Sequence, residues 1–180
     1  MLNSMSLFIL GFLSYLVVIA WRLKKGKLFG QQVVFTIFWF YVVAVLSVTF
    51  FPIAVQPRLL EVLRQQYHPN NNFIPFHDIY FIATKDTTHD FIRQVGGNMA
   101  LFFPFGFLFP LLSHSKRFGK ALVIGMICSA CIELMQLVLD TILGYNYRTC
   151  DVDDFILNTC GFILGYIVIT VMKRFIKIPI

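Results

Sequence analysis

The sequence predicts an all-α integral membrane protein with five transmembrane helices, its N-terminus outside and its C-terminus cytoplasmic. Three observations carry this expectation. The 180-residue chain is 58% hydrophobic and only 13% charged, against about 45–50% apolar and about 25% charged in a typical soluble domain. The excess sits in long continuous runs, and a helix crossing the hydrocarbon core of a bilayer needs about 20 mostly apolar residues. The fifteen Lys and Arg residues are also spread unevenly between the connecting segments.

The first span is expected near Met5–Ala20. Its basic residues Arg22, Lys24, Lys25 and Lys27 follow the apolar run, the reverse of a cleaved signal's charged leader, so it reads as a retained helix. The second span lies near Val33–Phe51, the third near Asn98–Leu112, the fourth near Ala121–Leu139 and the fifth near Phe155–Met172. None of these runs alternates apolar and polar residues, which argues against a β-barrel. Residues 1–180 read as a single membrane domain with no room for a soluble partner domain.

Basic residues set the orientation. Four follow the first span; Lys116, Arg117 and Lys120 lie between the third and fourth; Lys173, Arg174 and Lys177 lie in the tail. Arg58, Arg64, Lys85, Arg93 and Arg148 remain for the other side. Loops rich in Lys and Arg stay cytoplasmic. The nine acids then all fall in outer loops or outer helix halves. Because acids do not enter the positive-inside count, this segregation independently points to chemistry on the extracytoplasmic side. The basic clusters read as anchors at an anionic inner leaflet rather than as a nucleic-acid surface.

Between the second and third spans runs a long extracytoplasmic segment, Pro52–Val95. "PRLLEVLRQQ" and "DTTHDFIRQV" have the pattern of short amphipathic helices on a membrane surface. Thr87 with Asp90 three residues later forms a capping-box signal. Asn70, Asn71 and Asn72 are turn formers, and Pro75 pushes Ile74 toward extended backbone. Phe73 and Phe76 suit dipping into the bilayer or closing over a ligand, and the segment is expected to act as a lid.

Two polar stripes mark a candidate site. Asp154, Asn158, Gly161 and Gly165 share one face of the fifth span; Gly125, Ser129, Glu133, Gln136 and Asp140 share one face of the fourth. Small residues let helix backbones approach closely in lipid. The expected arrangement packs these two helices through Gly125/Ser129 and Gly161/Gly165, opening outward into a polar cleft. Glu133 lies about ten ångströms below the outer end of its helix at a rise of about 1.5 Å per residue. A carboxylate at a helix centre costs about 2.5–3.5 kcal/mol to insert, so it should face the bundle and marks a functional site. The competing reading is structural glue, with Glu133 and Gln136 bonded to Asn158 or Asn98.

In the third span, "LFFPFGFLFP" places Pro104, Gly106 and Pro110 in or at the end of an apolar helix, where proline kinks it. Its phenylalanines (Phe102, Phe103, Phe105, Phe107, Phe109) read as lipid-facing filler, with an apolar slot for an acyl or prenyl chain as the alternative.

Asp151, Asp153 and Asp154 with Glu133 offer oxygen ligands, but no calcium-loop pattern accompanies them and Arg148 competes as counter-ion. No cofactor is therefore expected, with a divalent cation as the weaker alternative. His68, His77, His89 and His114 are scattered; Cys128 and Cys131 have redox-motif spacing within an apolar helix and, with Cys150 and Cys160, read as packing residues. Arg148 is expected to pair with Asp151 or Asp154 and fix the loop before the fifth span.

The order "NFIPF", "GNMALFFPFGFLFPLL", "IELMQL", "RTCDVDDFILNTCGFILGY" resembles the VanZ-like family of bacterial membrane proteins over about residues 72–166. Helix one and part of 52–71 lie outside this core. The positions carrying the resemblance are Asn72, Pro75, Phe76, Asn98, Pro104, Gly106, Glu133, Gln136, Arg148, Asp151, Asp154, Asn158 and Gly161. It implies a multi-pass protein of a Gram-positive type plasma membrane. The family's name-giving member is associated with low-level resistance to the lipoglycopeptide teicoplanin.

Together these readings favour a binding protein. Its site would comprise Asn72, Phe76, Asn98, Glu133, Gln136, Arg148, Asp151, Asp153, Asp154 and Asn158. It would hold an amphiphile at the outer leaflet, either a lipoglycopeptide or a lipid-linked cell-wall precursor, among membrane lipids and without nucleic acid. The alternative is an intramembrane enzyme acting on an envelope lipid head group or the antibiotic, with Glu133 or Asp154 as acid/base. A flippase would need a polar path to the inner face, which the small apolar inner halves of the fourth and fifth spans do not offer. A structural partner of a larger assembly is the remaining reading.

Overall fold

A computed structural model describes residues 4–26, 28–65, 71–113, 117–145 and 148–175. Lys27, His68, Asn70, His114, Lys116 and Lys177, used in the reading above, lie outside the described residues. Five helical stretches are long and apolar enough to cross a membrane. Helix α1 spans Ser4–Lys24 and α2 Phe29–Phe50. The third stretch runs Thr88–Leu112 and joins three pieces: α5 (Thr88–Phe91), a π-helical turn (Ile92–Gly96) and α6 (Gly97–Leu112). Helices α7 (Phe118–Leu143) and α8 (Val152–Phe175) complete the set. Two short helices, α3 (Pro57–Gln65) and α4 (His77–Lys85), lie between the second and third spans.

Helix α3 has no buried residue. The segment "DTTHDFIRQV" departs from expectation: it is the upper end of the third span and not a separate surface helix. The physical reason is continuity, since nothing between Thr88 and Leu112 breaks the helix except a π turn that accommodates one wider loop of backbone. Its start follows the capping box, with the Thr87 hydroxyl accepting from Asp90 N–H at 3.3 Å and donating to Asp90 Oδ2 at 2.6 Å.

The small residues of the fifth span pack differently from the expected arrangement. A Cβ at Gly161 would overlap the Met99 carbonyl, one at Gly165 the Phe103 carbonyl, and one at Gly106 the Phe162 carbonyl. The close helix pair is therefore α6 with α8, not α7 with α8. Gly125 of α7 instead makes room for the ring of Phe162. A glycine stripe permits backbone approach to any neighbour, and the partner is settled by where the matching gap lies, here opposite Gly106.

Phe102, Phe105, Ala121 and Phe162 form the buried core. This corrects the reading of the α6 phenylalanines as lipid-facing filler. Phe102, Phe105 and Phe109 fall at helical spacing on the inward face, and Phe105 meets Phe162 edge-on at 5.2 Å between ring centroids. Phe103 and Phe107 form a separate stacked pair.

Helix α1 leans on α2 through Trp39 Nε1–H donating to the Gly11 carbonyl (2.9 Å), a Tyr15–Thr36 hydroxyl pair (2.8 Å) and Arg22 Nε donating to Gln32 Oε1 (2.9 Å). Its remaining face is apolar and exposed.

Candidate functional site

The end of α2, the start of the third span, the end of α7 and the start of α8 meet at one end of the bundle. A cleft of about 500 Å³ opens between them. Asn98 comes from α6, Glu133 and Gln136 from α7, Asp154 and Asn158 from α8, and Arg148 from the preceding loop. These six expected site residues share one lining.

Asn98 Nδ2 donates to Asp154 Oδ1 across the α6–α8 contact. Asn158, only 2% exposed, donates through Nδ2 to Ser129 Oγ at 3.2 Å, joining α8 to α7. Its Oδ1, like Gln136 Oε1, is buried without a hydrogen-bond partner among the described residues. Glu133 is buried, and its Oε2 accepts the Asp151 N–H at 3.1 Å. These bonds are not the glue considered above: Glu133 takes the Asp151 N–H, Asn98 bonds Asp154 and Asn158 bonds Ser129, which leaves two amide oxygens unused.

Arg148 ties the loop to α2: its guanidinium donates to the carbonyl oxygens of Val48 (2.9 Å) and Phe51 (3.3 Å). Its backbone N–H donates to Asp140 Oδ1 at 2.9 Å. The residue fixes this loop through the α2 carbonyls and Asp140; the expected pairing with Asp151 or Asp154 is not among these contacts.

The other four expected site residues are not among those lining the cleft. Asn72 pairs with Asp151 in an isolated parallel β-type bridge, with Asn72 N–H donating to the Cys150 carbonyl and Val152 N–H to the Asn72 carbonyl, both at 3.0 Å. The Asn72 amide also donates to Asp151 Oδ1 at 2.9 Å. Asp153 is 1% exposed and accepts from the backbone N–H groups of Phe76, Asp78 (2.9 Å) and Ile79 (3.1 Å). It satisfies the open N-terminus of α4 from outside that helix. Phe76 takes a left-handed backbone (φ 64°) at this junction and leaves its ring largely exposed. The segment is thus latched to the start of α8 beside the cleft.

Burial pushes the Asp151 carboxyl up from 3.8 to about 6, against the opposing pull of hydrogen bonds from Asp153 N–H and the Asn72 amide. Burial likewise raises the Cys150 thiol. Among the described residues no group of three or more His, Cys, Asp or Glu side chains is arranged to hold a metal ion.

Sequence reasoning missed Arg93, Gln94, Thr49 and Thr149, which also line the cleft. Arg93 and Gln94 sit on the π turn, for which the sequence carries no signature. Next to the cleft, sharing Ile132 with it, lies an apolar groove of about 310 Å³ between α2, α6 and α7. Tyr41, Phe102, Phe105 and Met135 are among its walls.

Fold and cleft together define a helical multi-pass membrane protein with a polar cleft lined by several of its spans. The VanZ/LLP1 family profile matches residues 38–173, and the chain belongs to that family. The match begins in α2, well before the motifs from Asn72 onward. No curated protein and no solved structure matches the chain.

Proposed function

We propose that the protein binds an amphiphile, with its polar head in the cleft and its apolar tail in the adjoining groove. The site faces the extracytoplasmic side of a bacterial plasma membrane, with the N-terminus outside and the C-terminus cytoplasmic. The ligand is a lipid-linked cell-wall precursor or a lipid-tailed glycopeptide such as teicoplanin, and its retention lowers the drug's access to its target. One observation carries this reading: a polar cavity and an apolar one share the wall residue Ile132. That adjacency suits a molecule that is greasy at one end and hydrogen-bonding at the other. The basic loops at the opposite end of the bundle support the orientation.

Native mass spectrometry of the purified protein, incubated with teicoplanin or with a lipid-linked precursor, tests the proposal. Retained ligand of unchanged mass is expected, with retention reduced in Glu133→Gln and Asp154→Asn. Full retention in both variants would sink the site assignment. Glu133 and Asp154 lining one cleft also favours a second reading, an intramembrane enzyme. Ligand of altered mass, abolished by Glu133→Gln, would decide for it.

A further inference from the structure

We infer that the head group recognised in the cleft is a phosphorylated polyol, its phosphate held at the rim by Arg93 and its hydroxyls turned inward to Gln136 and Asn158. This rests on the amphiphile-binding reading and narrows it to a lipid-linked sugar phosphate rather than a glycopeptide. The inner wall offers acceptors. Asn158 Oδ1 and Gln136 Oε1 are buried without partners, on side chains 2% and 9% exposed that line the cleft. Buried polar atoms are nearly always hydrogen-bonded, so two orphan acceptors on residues lining one cavity call for a donor. Glu133 and Asp154 add carboxylate oxygens beside them, and carboxylates accept several hydrogen bonds at once. Hydroxyl groups on neighbouring carbons match such a set.

The rim has the opposite character. Arg93 stands on the π turn, five residues before Asn98 and so more than a turn further out along the helix. Isolated π turns recur at functional sites, and this one carries Arg93 and Gln94, which share a lining with the acceptors. A guanidinium matches phosphate geometry with two parallel donors. With its phosphate at the rim the ligand bends there, the hydroxyls turning inward to the acceptors and the tail into the groove beside Ile132.

The test uses the full chain in lipid nanodiscs and four lipids with identical acyl chains: phosphatidylinositol, phosphatidic acid, a neutral glycosyl diacylglycerol and phosphatidylethanolamine. Retention is read by native mass spectrometry. Phosphatidylinositol is expected to be retained at least about tenfold over the other three, as losing a charge-assisted hydrogen bond implies. Arg93→Gln, an exposed position whose substitution leaves folding intact, should erase its advantage over the neutral glycolipid. Asn158→Ala and Gln136→Leu should erase its advantage over phosphatidic acid, with monodisperse elution confirming the fold. Equal retention of phosphatidic acid overturns the polyol, and an unchanged preference in Arg93→Gln overturns the phosphate site. Preferred retention of phosphatidylethanolamine shows that the inner acceptors hold an ammonium and overturns the assignment. Retention of all four without preference overturns the head-group assignment while leaving amphiphile binding standing. Retention of none removes both.

Discussion

Asp153 Oδ2 accepts the backbone N–H of Asp78 at 2.9 Å, so the first turn of α8 holds the first turn of α4 across a long stretch of chain. The same carboxylate also takes the N–H groups of Phe76 and Ile79. Hydrogen bonds to a charged group contribute about 1.5–3 kcal/mol each. Asp153→Ala is therefore expected to free the α4 segment and to lower stability by roughly 3–5 kcal/mol. Limited proteolysis should show new cleavage between residues 71 and 88, whereas Asp154→Ala should not. Equal protection of Asp153→Ala and the parent would refute the latch.

The α6–α8 contact supplies a graded series. Gly161→Ala drives a methyl into the Met99 carbonyl, which only separation of the two helices relieves. Overpacking of this kind costs about 1–3 kcal/mol, and more where backbone must move. Gly125→Ala meets the Phe162 ring at 2.9 Å, a side chain that can turn aside, and Gly119→Ala meets nothing within 4 Å. Melting temperatures in detergent should fall in the order Gly119→Ala, Gly125→Ala, Gly161→Ala. A Gly161→Ala protein as stable as Gly119→Ala would contradict the close pair.

Asp151 gives a pH dependence of definite sign. Its folded value, about 6, lies above the ordinary 3.8, so the folded protein holds this proton where the unfolded chain has lost it. Stability from this group is fully present below 3.8, declines as pH rises through the window, and is lost above about 6. Asp151→Asn keeps an acceptor for the Asp153 N–H but cannot titrate. The melting temperature of the parent should fall relative to Asp151→Asn as pH rises through that window. Parallel curves would refute burial as the dominant influence on this carboxyl.

Helix α1 should be separable from binding. Its contacts run to α2 at Gln32, Thr36 and Trp39, whereas α2 meets the cleft at Val48 and Thr49. Gly11→Leu collides with Val43 and is expected to lower stability by about 1–3 kcal/mol. Retention of an amphiphile by native mass spectrometry should be unchanged. A parallel loss of ligand would tie α1 to the site.

The five spans were legible because lipid demands unbroken apolar runs, and such runs are a local property of the chain. The face of each stripe was legible for the same reason: Glu133 with Gln136, and Asp154 with Asn158, are fixed by helical spacing and do share one cleft. Which helix each stripe meets was not. Gly161 finds the Met99 carbonyl on α6 rather than α7, and that depends on a gap at a distant glycine, Gly106. Helix α4 escaped notice because its start is a left-handed phenylalanine whose open N–H groups are satisfied by Asp153, remote in sequence. Arg93 was misplaced with the surface helices because the turn carrying it continues into a span.

The glycine contacts also give the cleft walls of unequal stiffness. Where Gly106, Gly161 and Gly165 bring two backbones together, α6 and α8 cannot slide or part without breaking carbonyl contacts along their length. Helix α7 meets α8 through side chains, the Phe162 ring against Gly125 and the Ser129–Asn158 hydrogen bond, and side chains can change rotamer. One flank of the cavity behaves as a post and the other as a door hung on it. A guest too large for the resting volume would be admitted by α7 swinging outward, so spin labels should report widening between α7 and α6 while the α6–α8 distance stays constant.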